Sequence, residues 1–214
     1  MKRILRSVLI VALATIMYCI PAIAGTRSDY ANIPGTLLYA APDVTEEQKT
    51  AETAVFLRIP GGVRSALALN GYYYVLINED NDKTATGHTG CTLYQGMCSH
   101  SEGRLNKDIS LNGGVMNHEI GHAVDLLYGG DPYIPFQASN DPGWQALYRK
   151  YKKTIAGFGG LSKWEVYNAQ EAFAEAYCHY INDPVKVMRL APEIATYMDA
   201  VNNEVTTRYI VIDK

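Results

Sequence analysis

The stretch Val115-Met116-Asn117-His118-Glu119-Ile120-Gly121-His122-Ala123-Val124-Asp125-Leu126-Leu127-Tyr128 decides how this chain is read. Met116, Ile120, Val124 and Leu127 recur at the spacing of one helix face, while His118, His122 and Asp125 fall on the opposite side. The pattern predicts a helix from Val115 to Tyr128, stopped by Gly129 and Gly130, with one face that packs and one that offers ligands. Residues four apart on a helix have Cβ atoms about 5–6 Å apart, so the His118 and His122 imidazoles can converge on one tetrahedral ion. Glu119 stands beside them, placed to reach a metal-activated water without becoming a ligand, as a general base must.

An open catalytic zinc site takes three protein ligands and keeps one position for water, so a third donor must come from another element. A second helix is predicted from about Ala169 to Asn182, with Phe173, Ala176, Tyr177 and Tyr180 as its packing stripe. Glu171, Glu175 and Cys178 share another face of it. Glu171 is the expected third ligand, and Glu175, one turn on, is placed to accept a hydrogen bond from a ligand imidazole. Asp125 competes for that supporting role, or merely sits near its helix end. Cys178 lies about 10 Å along the helix from Glu171, too far to share an ion, and His179 reads as structural. The cofactor these residues call for is one zinc ion; the plain alternative is a solvated helix face.

The rest of the chain supplies the setting. Its 214 residues are 48% hydrophobic, enough for a substantial core, which makes intrinsic disorder a poor reading. With 19 Lys and Arg against 22 Asp and Glu, there is no broad basic surface, and nucleic acid is not an expected partner. Lys2, Arg3 and Arg6 precede an uncharged apolar run from Ser7 to Ile20, and Ala22-Ile23-Ala24 has the shape of a cleavage site. Residues 1–24 therefore read as a secretory signal peptide and 25–214 as one catalytic domain; the run is shorter than the roughly 20 residues of a spanning helix. The expected product is secreted or extracytoplasmic, with no membrane association after cleavage. In an oxidising compartment Cys91 and Cys98 suggest a disulfide closing a small loop, with Cys178 left over. His88 and His100 flank that pair and leave a second metal site as the alternative.

A short strand is expected within Thr36–Ala40, a helix capped by Thr45 from there to about Arg58, a break at Pro60-Gly61-Gly62, and a strand at Tyr72–Asn78. Some twenty residues of loop should follow, then a weak strand at Asp108–Leu111. Asp141-Pro142 opens another helix, with Trp144, Leu147, Tyr148 and Tyr151 at helical spacing, and Asp183-Pro184 a last helical region. The fold class is α+β: a small mixed sheet in the first half packed with a helical second half.

The string from His118 to Asp125 (HEIGHAVD), followed by Glu171 to Tyr177 (EAFAEAY), resembles the catalytic domains of the anthrax lethal factor family and of the related secreted Pro-Pro endopeptidases, which are gluzincin-type zinc metallopeptidases. The two motifs lie between Gly114 and Asp183; upstream, only size and export are similar. The resemblance implies a zincin-like fold, with His118, His122 and Glu171 as zinc ligands, Glu119 as base and then acid, and Glu175 as support. One position departs from the pattern. The family places a tyrosine seven residues before the metal-binding glutamate, where it helps stabilise the oxyanion, and this chain has Trp164 there. An indole N–H can donate a hydrogen bond but cannot repeat phenol chemistry. Tyr167, three residues on, is either the replacement donor or a packed residue at the start of the helix.

These readings predict a monomeric, secreted zinc endopeptidase acting on protein or peptide. The alternative is an exported toxin or surface binding module on the same scaffold with weak or no turnover, favoured by Trp164 and by 16 Tyr against 4 Phe. A third reading is a structural exported protein without metal.

Overall fold

The computed structural model of the chain describes residues 31–40, 42, 44–78, 100–105, 114–129, 137–158 and 166–210. Two short strands, β1 (Ala31–Asn32) and β2 (Leu38–Ala40), pair antiparallel and lead into helix α1 (Glu46–Phe56). Thr45 caps α1 as its sequence predicts: its hydroxyl accepts from the Gln48 amide at 3.2 Å, and the Gln48 side chain accepts from the Thr45 amide at 2.9 Å. The break expected at Pro60-Gly61-Gly62 is only a cap, because a second helix, α2 (Gly61–Leu69), starts at once and buries Val63, Ala66 and Leu67. Strand β3 (Tyr73–Asn78) then runs parallel to β2, the two helices serving as the crossover that a parallel pair requires.

Strand β4 (His100–Leu105) completes the mixed sheet, ordered β1-β2-β3-β4, parallel to β3 with Tyr73 opposite His100 and Asn78 opposite Leu105. Part of it falls where loop was expected. His-Ser-Glu-Gly-Arg-Leu contains no β-branched or large aromatic residue, so the pairing is dictated by the neighbouring strand and not by local preference. The strand expected at Asp108–Leu111 lies outside the described residues, as do residues 1–24, Cys91, Cys98, His88 and Trp164.

The second half is helical: α3 (Gly114–Leu127), the single turn α4 (Gln137–Asn140), α5 (Pro142–Ala156), α6 (Ala169–Asn182), α7 (Pro184–Leu190) and α8 (Pro192–Ile210). The last helical region is thus two helices, separated at Ala191 where Pro192 restarts the chain. With helices joined to this small sheet, the class is α+β, mostly helical. Leu38 and Leu76 of the sheet, Phe56 of α1, Met116 and Val124 of α3, Trp144 of α5, Phe173 of α6 and Met198 of α8 belong to one buried apolar cluster. Among the described residues no helix is long and apolar enough to cross a membrane.

The pair that positions the site is α3 against α6, the most extensively packed helices described. Gly121 makes their approach possible: a Cβ there would lie 2.8 Å from Ala174 Cα and 3.0 Å from its carbonyl oxygen. Helix α5 fixes the start of α6, since the buried Trp144 donates its indole N–H to the Ala169 carbonyl at 2.8 Å and packs edge-on against Phe173. From the other side, the Tyr177 hydroxyl donates to Asn202 of α8 at 3.0 Å.

Candidate metal centre

Asn168 caps α6, its side-chain oxygen accepting from the Gln170 and Glu171 amides at 2.9 Å each, which anchors the backbone of Glu171 in the first turn of the helix. From there the Glu171 carboxylate reaches across to α3. Its Oε2 lies 3.2 Å from His118 Nε2 and 3.4 Å from His122 Nε2. The two imidazoles stand nearly perpendicular, with ring centroids 4.9 Å apart. One donor atom from each of His118, His122 and Glu171 lies within 4.8 Å of the others, a group able to hold a metal ion. The three side chains meet as their spacing and helix faces predict.

Glu175, one turn beyond Glu171, is 4% exposed, and its Oε2 lies 3.1 Å from His118 Nδ1. A carboxylate only accepts, so His118 carries a hydrogen on Nδ1, and its Nε2 is the atom that faces Glu171. Two acceptors facing each other are repulsive unless a proton or a cation lies between them. Burial alone would raise the Glu171 carboxyl, but the hydrogen bonds and charges of His118 and His122 together outweigh it and hold the group down at about 2.

Glu119 is buried. Burial raises its pKa, the His118 and His122 imidazoles pull it back down, and the Glu171 charge adds to the rise. Behind it a cavity of about 20 Å³ is lined by Glu119, Ile120, Ala123, Phe56, Leu67 and Tyr74, an apolar wall that strips water from the carboxylate. Burial, and then the charges of Glu119 and Glu52, push the Tyr74 phenol well above its ordinary value.

The face of α3 that offers ligands is packed as well. His118, Glu119 and Asp125 are all buried, because α6 and α4 cover the polar side as fully as the sheet and its helices cover the apolar one. Asp125 Oδ1 accepts from the Ser139 amide at 2.7 Å, fastening α4 to α3, and the His122 charge also acts on the Asp125 carboxyl. Burial lifts its pKa to about 6. Tyr167 is 69% exposed beside the Asn168 cap, and its backbone carbonyl accepts from the Tyr148 hydroxyl.

Three contributors are not singled out by the sequence pattern. Gly121 carries no chemistry and is identified only by what its missing side chain would strike. His179 reads as structural along the chain, yet its Nε2 lies 3.0 Å from Glu175 Oε1. Glu52 of α1 is buried with Oε1 lacking a hydrogen-bond partner among the described residues, and burial raises its pKa to about 7.

No protein-family model matches the chain, and no curated protein matches it. The likeness to the lethal factor family accordingly rests on the two motifs themselves.

Proposed function

We propose that the chain is a zinc-dependent endopeptidase, exported from the cell, that hydrolyses peptide bonds with His118, His122 and Glu171 as ligands and Glu119 as general base. The observation that carries this reading is the pair of separations from Glu171 Oε2, 3.2 Å to His118 Nε2 and 3.4 Å to His122 Nε2. Ligand bonds of about 2.0–2.1 Å in tetrahedral arrangement set ligand atoms about 3.3–3.4 Å apart, so these two separations match two edges of a zinc tetrahedron. Three protein donors leave the fourth position to water, the open arrangement of a catalytic site.

When bound, zinc supplies Lewis acidity that activates water and offsets oxyanion charge. The chain's own residues do the remainder. His118 keeps its Nδ1 hydrogen on Glu175, which holds Nε2 in its ligating form. The Glu119 carboxylate, made more basic by burial, takes a proton from the attacking water as the carbon–oxygen bond forms, then returns it to the leaving amine nitrogen as the carbon–nitrogen bond breaks. Water and peptide thus become one carboxylic acid and one amine, and Glu119 ends as it began. Tyr167, exposed at the start of α6, is the candidate donor to the oxyanion.

The test is cleavage of a randomised peptide library by protein lacking residues 1–24, with and without chelator. Expected are one zinc per chain, cleavage abolished by chelation, a Glu119→Gln variant that keeps zinc but loses cleavage, and a Tyr167→Phe variant with kcat lowered and KM little changed. Full activity in the Glu119→Gln variant would remove the assigned base. Stoichiometric zinc with no cleavage of any library member would favour the binding-module alternative.

A further inference from the structure

A single buried carboxylate joins two imidazoles: Glu175 Oε2 faces His118 Nδ1 at 3.1 Å and Oε1 faces His179 Nε2 at 3.0 Å. We propose that His179 is a positioning residue for the metal centre, holding Glu175 so that Glu175 in turn holds His118 with Nε2 turned toward Glu171. This role rests on the zinc reading of the site and extends it by one residue outward.

Glu171, Glu175 and His179 succeed one another at four-residue intervals on α6, each step about 6 Å along the axis, so a line of side chains runs from the donor group down the helix. Because an ionised carboxylate has no hydrogen to give, both imidazoles donate to it, and the two hydrogen bonds pin both of its oxygens. A carboxylate held at one oxygen swings about its last side-chain torsion, which is broad and has no staggered wells; held at both, it presents Oε2 to His118 in one orientation. The His179 ring is itself fixed, lying 5.1 Å between centroids from the buried Phe158. Phe158 follows α5 and its carbonyl accepts from the Lys186 ammonium of α7, so the far end of the line is tied to two further helices. Outer groups that orient a ligand imidazole typically affect metal affinity by about 10–100-fold.

Two variants separate the hydrogen bond from the packing. His179→Phe keeps a ring against Phe158 and removes the donor; His179→Gln keeps a donor and removes the ring. Zinc affinity is read by competition with a chromophoric chelator, ligand geometry by the visible spectrum of the cobalt-substituted protein, and folding by melting of the metal-free forms. His179→Phe should bind zinc about 10–100-fold more weakly with an altered cobalt spectrum, and His179→Gln should stay within about threefold of the parent. Adding Glu175→Gln to His179→Phe should weaken binding no further than Glu175→Gln alone, as for residues acting in series. Should the phenylalanine variant fail to fold, His179→Met, close to Gln in shape but without the donor, takes its place. Parent-like affinity and spectrum in the donor-less variant, or a weaker glutamine than phenylalanine variant, would overturn the proposal and leave the zinc site standing. A parent protein that binds no zinc would overturn both.

Discussion

Gly121 of α3 lies directly against Ala174 of α6, so close that a Cβ on Gly121 would stand 2.8 Å from Ala174 Cα and 3.2 Å from Tyr177 Cβ. The two helices that carry the donor atoms are spaced by a hydrogen where any other residue would put a carbon.

Replacing Gly121 with Ala tests that spacing. Alanine favours a helix interior by about 1 kcal/mol over glycine, whereas overpacking costs about 1–3 kcal/mol, and here the obstacle is backbone that cannot rotate aside. Overpacking therefore outweighs the gain in helix propensity: Gly121→Ala should melt lower and bind zinc at least tenfold more weakly. A variant melting higher with affinity intact would show that α3 and α6 separate freely.

Metal removal should be visible in stability. A ligand that binds only the folded state stabilises it by about 2.7 kcal/mol when present at a hundredfold excess over its dissociation constant. Chelation should therefore lower the melting temperature of the parent and of Glu119→Gln, and leave Glu171→Ala unmoved. Thermal melts with and without chelator decide it; an unmoved parent points to the structural, metal-free reading.

Trp144→Phe should act on the site from a distance. The change keeps an aromatic ring beside Phe173 but removes the donor to the Ala169 carbonyl, two residues before Glu171. Losing this second hydrogen bond to a helix carbonyl costs about 0.5–1.5 kcal/mol, and the lost ring area adds to it. Denaturant midpoints should fall accordingly, with zinc affinity falling alongside because the first turn of α6 loosens. Loss of stability with unchanged affinity would show that Asn168 alone positions Glu171.

Glu52 predicts a pH dependence. Its carboxyl is raised from 4.5 to about 7 by burial. Well below pH 4.5 the group is protonated whether the chain is folded or not. Between 4.5 and about 7 the unfolded chain has released the proton and the folded chain retains it, so stability falls as pH rises, and above about 7 the loss is complete. The full effect is on the order of 3 kcal/mol, from about 1.36 kcal/mol for each unit of displacement. Glu52→Gln, of the same shape but without a titrating proton, should lack this slope. Its melting temperature should gain on the parent from about pH 5 to about pH 8; parallel profiles would refute the buried carboxyl.

Local signals are the ones that can be read along the chain. Thr45 and Gln48 satisfy each other within one turn, and the run from Ala169 to Asn182 shows both its period and its ends. Strand β4 is illegible because its residues do not prefer the extended state and acquire it from β3. Helix α2 is hidden behind Pro60-Gly61-Gly62, although Val63, Ala66 and Leu67 carry the helical spacing. At the site, His118, Glu119 and His122 declare themselves by separation along one helix, and Glu171 by its face; His179 does not, since its partner Glu175 acquires significance only through His118 on another helix.

Taken alone, the order of residues determined which side chains could act together on each helix, because a helix places every fourth residue on one face whatever surrounds it. Tertiary structure decided the rest: that Gly121 admits α6 to within reach of the histidines, that Glu119 and Glu52 lose their water, and that Glu175 is held from both sides. Distances between helices and the polarity around a charge depend on segments far away in the chain, and no local pattern encodes them.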